Sequence, residues 1–91
     1  MEVKEISETL GVSEDDLVKR GVKAYLEMEL RRVKAEMYGI LSKYKVDSFR
    51  ELDEKISRGD LSETETFEDF TRLDYLDSMR EKIERLLGGS T

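Results

Sequence analysis

Asp74 and Asp77 stand three residues apart, as do Glu51 and Glu54, and on a helix that spacing brings two carboxylates onto one face. Such a pair offers the hard oxygen ligands that a divalent cation prefers or, across a cleft, the acid and base of glycoside hydrolysis. Neither chemistry finds the rest of what it needs. The 91 residues include no His and no Cys, which removes imidazole and thiolate ligands, zinc sites and the imidazole base of most nucleophilic constellations. The carboxylates lack the spacing of an EF-hand loop, and a helical hairpin has no cleft for a sugar ring. Arg58, Gly59 and Asp60 spell an adhesion tripeptide, but they fall where a helix should stop. No catalytic residue, cofactor or metal is therefore expected. The expected activity is binding by a protein that is not an enzyme.

The elements that carry these side chains follow from composition. Asp, Glu, Lys and Arg make up 42% of the chain, and Pro, Trp, Asn and Gln are absent. Absence of Pro with only 6 Gly favours an all-helical fold. Few amides with much Glu, Lys and Arg suits a hot-growing organism. Ninety-one residues make one small domain, 1–91, whose core is marginal without a partner or a second copy. No apolar run approaches the roughly 18 residues of a membrane span, and the Met1 to Glu5 start lacks the layout of a signal peptide. The expected address is cytoplasmic, with no membrane.

Residues 1–12 hold Val3, Ile6, Thr9 and Leu10, enough for a short turn or helix before Gly11. Ser13 is a good N-cap for a helix over 14–45, because Glu14, Asp15 and Asp16 sit where the positive end of the helix dipole favours carboxylates. Leu26, Leu30, Val33, Met37, Ile40 and Tyr44 recur at alternating spacings of four and three, the seam of a coiled coil, and Val18 and Val22 extend it backward. A helix of that length, roughly 48 Å at 1.5 Å per residue, needs a hairpin partner or a second subunit. The expectation is a dimer through this seam. Ser48 with Glu51 opens a short helix over 49–58, carrying Phe49, Leu52 and Ile56 on one face and stopping at Gly59. After an acidic linker, a final helix over 65–87 turns Phe70, Leu73, Leu76, Met79, Ile83 and Leu86 inward. Together these give an all-α antiparallel helical hairpin with the short helix at the bend. Tyr25, Tyr38 and Tyr44 read as residues at the edge of the core.

Leu10 to Ser13, Leu-Gly-Val-Ser, is a phrase found at the turn of helix-turn-helix DNA readers. The residues it would present to DNA are Glu14, Asp15 and Asp16, three carboxylates facing a polyanion. The nearest cations, Lys19, Arg20 and Lys23, lie one to two turns on. A DNA-binding regulator that uses those three across a dimer is the alternative function, and a self-associating structural bundle is the third.

Thr9 to Arg31, TLGVSEDDLVKRGVKAYLEMELR, resembles the second helix of ribbon-helix-helix antitoxins. With SKYKVDSFRELDEKISRGDL and TFEDFTRLDYLDSMREKIERLL, nearly the whole chain resembles the small helical antitoxin-like proteins of archaeal toxin-antitoxin operons. The resemblance implies a long helix, a Lys-Tyr-Gly-Val-like turn, a short helix and a final helix opened by an aromatic-Glu-Asp stretch. The strand and first helix with which ribbon-helix-helix proteins read operators have no room here. What carries over is the half that binds a partner.

Charge points to the same half. From Met1 to Val46 there are 9 basic and 9 acidic residues; from Asp47 to Thr91 there are 7 and 13, so the whole excess of -6 lies there. It is densest from Asp60 to Asp77, where seven carboxylates meet only Arg72. Such a segment complements a small basic protein partner, such as the RNA-binding face of a ribonuclease toxin. The candidate partner-binding residues are Phe67, Glu68, Asp69, Phe70, Asp74, Tyr75 and Asp77. Tyr75 lies off the inward stripe and suits an exposed anchor, whereas Phe67, three before Phe70, fits the core stripe better.

Overall fold

The computed structural model describes residues 2–89, and among them there are four helices and no strand: α1 (Val3–Leu10), α2 (Glu14–Lys43), α3 (Phe49–Ser57) and α4 (Glu63–Gly88). Three helices open on a serine. The hydroxyls of Ser13, Ser48 and Ser62 accept the backbone N–H of Asp16, Glu51 and Glu65, each satisfying one orphan donor of a first turn. At α3 the Glu51 carboxylate also reaches back, accepting the Asp47 N–H at 2.8 Å. Ser62 explains why α4 starts at 63 rather than 65. The Ser-x-x-Glu signature of Ser62 and Glu65 is the one that marks α3, and it shortens the acidic linker by two residues.

Helix ends are equally local. Gly59, at φ 80°, stops α3, with the Gly59 N–H on the Ile56 carbonyl and the Asp60 N–H on the Lys55 carbonyl. This Schellman closure is repeated after α2, where the Lys45 N–H meets the Ser42 carbonyl and the Val46 N–H meets the Leu41 carbonyl. Here the left-handed position, at φ 55°, is held by Lys45 and not by glycine. The closure ends α2 at Lys43, two residues short of the expected 45, and turns Val46 into the core.

α2 and α4 run antiparallel, and α3 closes the end where they meet. Val33, Met37, Val46, Leu52, Leu73, Leu76 and Ile83 are buried, ringed by half-buried Leu26, Leu30, Ile40 and Tyr44. The Phe49 and Phe70 rings pack at 4.9 Å between centroids and tie α3 to α4. The expected seam of α2 is therefore real but is used within the chain. Leu26, Leu30, Val33, Met37, Ile40 and Tyr44 face the chain's own core. The complementary stripe of α4 lies one short helix away in the same chain, an advantage in effective concentration that a second molecule lacks.

Three inward assignments differ. Leu86 is exposed and Leu87 packs against the core in its place; Phe67, expected on the core stripe, is exposed and Thr66 is buried; Tyr25 and Tyr38 face solvent. Each follows from where a four-residue or a three-residue step falls along the stripe. The molecule is long, 60 × 24 × 16 Å, because the start of α2 runs beyond the region covered by α4, with only α1 packed against it.

Two stability changes follow. Lys45→Gly should raise stability by roughly 0.5–1 kcal/mol by relieving the left-handed strain, read as an upward shift in thermal unfolding. Leu73→Ala, at a fully buried site, should cost about 2–5 kcal/mol by the same measurement.

Candidate functional site

Ion pairs lock the register of α2 on α4. Arg72 donates to both oxygens of Glu36, with one N–H to O distance at 2.9 Å. Lys43 Nζ donates to Asp69 Oδ2 at 2.7 Å, and the Tyr44 hydroxyl donates to the same oxygen. Lys34 and Glu84 approach to 3.4 Å farther along. Hydrogen bonds from Lys43 and then Tyr44 hold the Asp69 carboxyl below the usual range, and the hydrogen bond from Arg72 does the same for Glu36. Burial first, then the Asp69 carboxylate, pushes the Tyr44 phenol up.

These contacts divide the seven candidate partner-binding residues. Asp69 is occupied by Lys43 and Tyr44, Phe70 is half-buried against Phe49, and Asp77 accepts two N–H groups from Arg80, at 3.0 and 3.1 Å. Asp69 ties α4 to α2, Phe70 ties it to α3, and Asp77 pairs along α4 itself. Phe67, Glu68, Asp74 and Tyr75 are exposed, with Phe67 at 64% and Tyr75 at 54% of full accessibility. The Tyr75 ring carries the Arg72 guanidinium 5.4 Å from its centroid, so its face is partly used.

Phe67 borders a cleft of about 340 Å³ between α3 and α4, lined also by Asp53, Ile56, Ser57, Glu63, Thr66 and Phe70. Apolar groups come from Ile56, Phe67 and Phe70, and the charges in the lining are the carboxylates of Asp53 and Glu63. The buried Thr66 hydroxyl is satisfied by the Ser62 carbonyl at 2.7 Å. An apolar cleft with acidic walls suits a long aliphatic side chain that ends in a cation. Among the described residues no group of three or more acidic side chains is placed to hold a metal ion, and no helix is long and apolar enough to cross a membrane.

Sequence reasoning missed Asp53, Ile56, Ser57, Glu63 and Thr66 as cleft residues. The serine cap at Ser62 could have placed Glu63 and Thr66 on the first turn of α4; the apposition of Asp53 depends on how α3 docks. The alternative DNA contacts, Lys19, Arg20 and Lys23, lie exposed at the far end of the molecule, and Lys19 is paired with Asp15 at 2.9 Å.

A family model described as "Uncharacterized protein MJ0235" matches residues 1–89. The chain belongs to the MJ0235 family. A family relative from Methanocaldococcus jannaschii, the uncharacterized protein MJ0235, is 37% identical over 65 residues, which cover 71% of this chain and 74% of that protein. Archaeal kinship is thereby shown. No solved structure matches the chain.

The ion pairs give a pH dependence of stability. Asp69 and Glu36 have folded-state values below their unfolded ones, so their contribution is complete above the ordinary carboxylate range near pH 4 and is lost as pH falls through the lower folded values. The thermal unfolding temperature should fall as pH drops below about 4, and Asp69→Asn should flatten part of that slope. An unchanged slope in the variant would remove Asp69 from the account.

Proposed function

We propose that this chain is a non-enzymatic binding subunit, antitoxin-like in its mode of action, that covers a basic surface of a protein partner with its α3 and α4 end. The observation that carries the reading is Phe67: a large aromatic left 64% exposed beside a cleft whose charged walls are carboxylates. An exposed aromatic anchor beside acidic groups is the arrangement that buries area and selects Lys or Arg at once. The negative excess of this half of the chain adds long-range attraction to a basic patch, such as the RNA-binding face of a ribonuclease, and repels nucleic acid. Masking by shape and charge needs no reacting group, in keeping with the absence of His and Cys.

The informative variant leaves the helix pair intact. Phe67→Ala with Glu68→Lys and Asp74→Lys changes only exposed residues, whereas Asp69 and Phe70 would also disturb packing. Affinity capture from the native host's lysate, run side by side with wild type and this variant at low and moderate salt, tests the reading. The expected result is one stoichiometric basic protein, released by salt, held by wild type and lost by a variant whose circular dichroism is unchanged. Equal capture by the folded variant would move the site elsewhere, and capture of DNA alone would favour a regulator.

A further inference from the structure

Two short helical faces meet in the cleft between α3 and α4. Asp53, Ile56 and Ser57 share one face of the last turns of α3, and Glu63, Thr66, Phe67 and Phe70 share one face of the first turns of α4. Each face thus sets a carboxylate beside apolar groups. The volume, about 340 Å³, stands near the lower end of small-ligand pockets, roughly 300–1,000 Å³, so the cleft admits one side chain and not the face of a helix. Among the described residues neither the Asp53 nor the Glu63 carboxylate is paired. Arg50 is engaged by Glu54 at 3.3 Å and Arg58 by Asp60 at 3.4 Å, and Lys55 is not part of the lining.

We propose that the cleft seats one arginine side chain of the basic partner, with its guanidinium on Phe67, its N–H groups donating to Asp53 and Glu63, and its methylenes against Ile56 and Phe70. The inference deepens the masking reading and rests on it for the protein that carries the arginine. Charge complementarity selects this occupant. The C-terminal end of α3 favours a cation and the N-terminal end of α4 disfavours one, so the two helix dipoles oppose each other and the two carboxylates decide the sign. An anion is thereby repelled. An apolar side chain would take water from both carboxylates without replacing its hydrogen bonds. Between the two long cations, the planar guanidinium stacks on an aromatic face, forks onto carboxylates and is more weakly hydrated than an ammonium, so an open, half-apolar cleft favours arginine over lysine.

Titration of the full chain with acetyl-Gly-Arg-Gly-amide, followed by the NMR methyl signals of Ile56 and Thr66, reads the seat without the partner. Saturable shifts of both signals are expected. The tripeptide with citrulline, which has nearly the same shape and no charge, should bind about tenfold more weakly, the loss of a charge-assisted hydrogen bond. The lysine tripeptide should also bind more weakly than the arginine one. Asp53→Asn with Glu63→Gln, both at exposed positions, should weaken arginine binding by a similar factor while circular dichroism is unchanged. Citrulline or lysine binding as tightly as arginine would overturn the proposal, as would a double variant that binds undiminished or cleft signals that stay still. The masking reading has a separate outcome. A basic partner captured from lysate equally by wild type and by Asp53→Asn with Glu63→Gln would leave masking standing and remove the arginine seat. Arginine binding in the cleft with no partner captured would keep the seat and remove masking.

Discussion

Burial of a single apolar stripe shared by α2 and α4 is the constraint on which the rest depends. A chain with 42% charged residues has little else with which to form a core. Val33 and Met37 on one helix, and Leu73, Leu76 and Ile83 on the other, supply most of what is fully removed from water. α3 adds Leu52 and, by closing the end of the pair, converts two helices into a unit with an inside. The salt bridges outside this stripe fix the register more than they add stability, since exposed pairs contribute about 0–1 kcal/mol each.

The consequence is an asymmetric molecule. Where α4 accompanies α2, the charged side chains are paired: Asp69 with Lys43 and Glu36 with Arg72 across the two helices, and Arg80 with Asp77 along α4. Beyond that region α2 continues as an arm with apolar residues and no cover. At the other end, α3 and the first turns of α4 form the acidic cleft beside Phe67. One end therefore has carboxylates and an exposed aromatic beside a cleft, and the other an exposed stretch of α2 that carries Val18 and Val22.

Most of the fold was legible because helix boundaries are written in local chemistry. Ser13 and Ser48 mark starts, Gly11 and Gly59 mark stops, and the alternating three and four spacing marks the inward faces. The seam from Leu26 to Tyr44 was legible as apolar, but whether α4 or a second copy covers it was not, since a stripe is satisfied by any helix that meets it and its pattern does not name the owner. Val18 and Val22 carried the same pattern, yet they lie where α4 does not reach. Exposure there depends on the relative lengths and offset of two helices, a tertiary quantity. The candidate site was half legible: charge density pointed to the first turns of α4, but whether Asp69 is free or held by Lys43 and Tyr44 depends on a residue 25 or 26 positions away. The cleft on the α3 side depends on docking and had no sequence signature beyond the Ser62 cap.

Native-state hydrogen exchange along the chain tests the division into a packed helix pair and an uncovered arm most directly. Backbone amides from about Leu30 to Lys43 and from Phe70 to Ile83 should exchange only through global unfolding, while those from Val18 to Tyr25 should exchange faster, through local opening. Uniform protection along the whole of α2 would contradict the account.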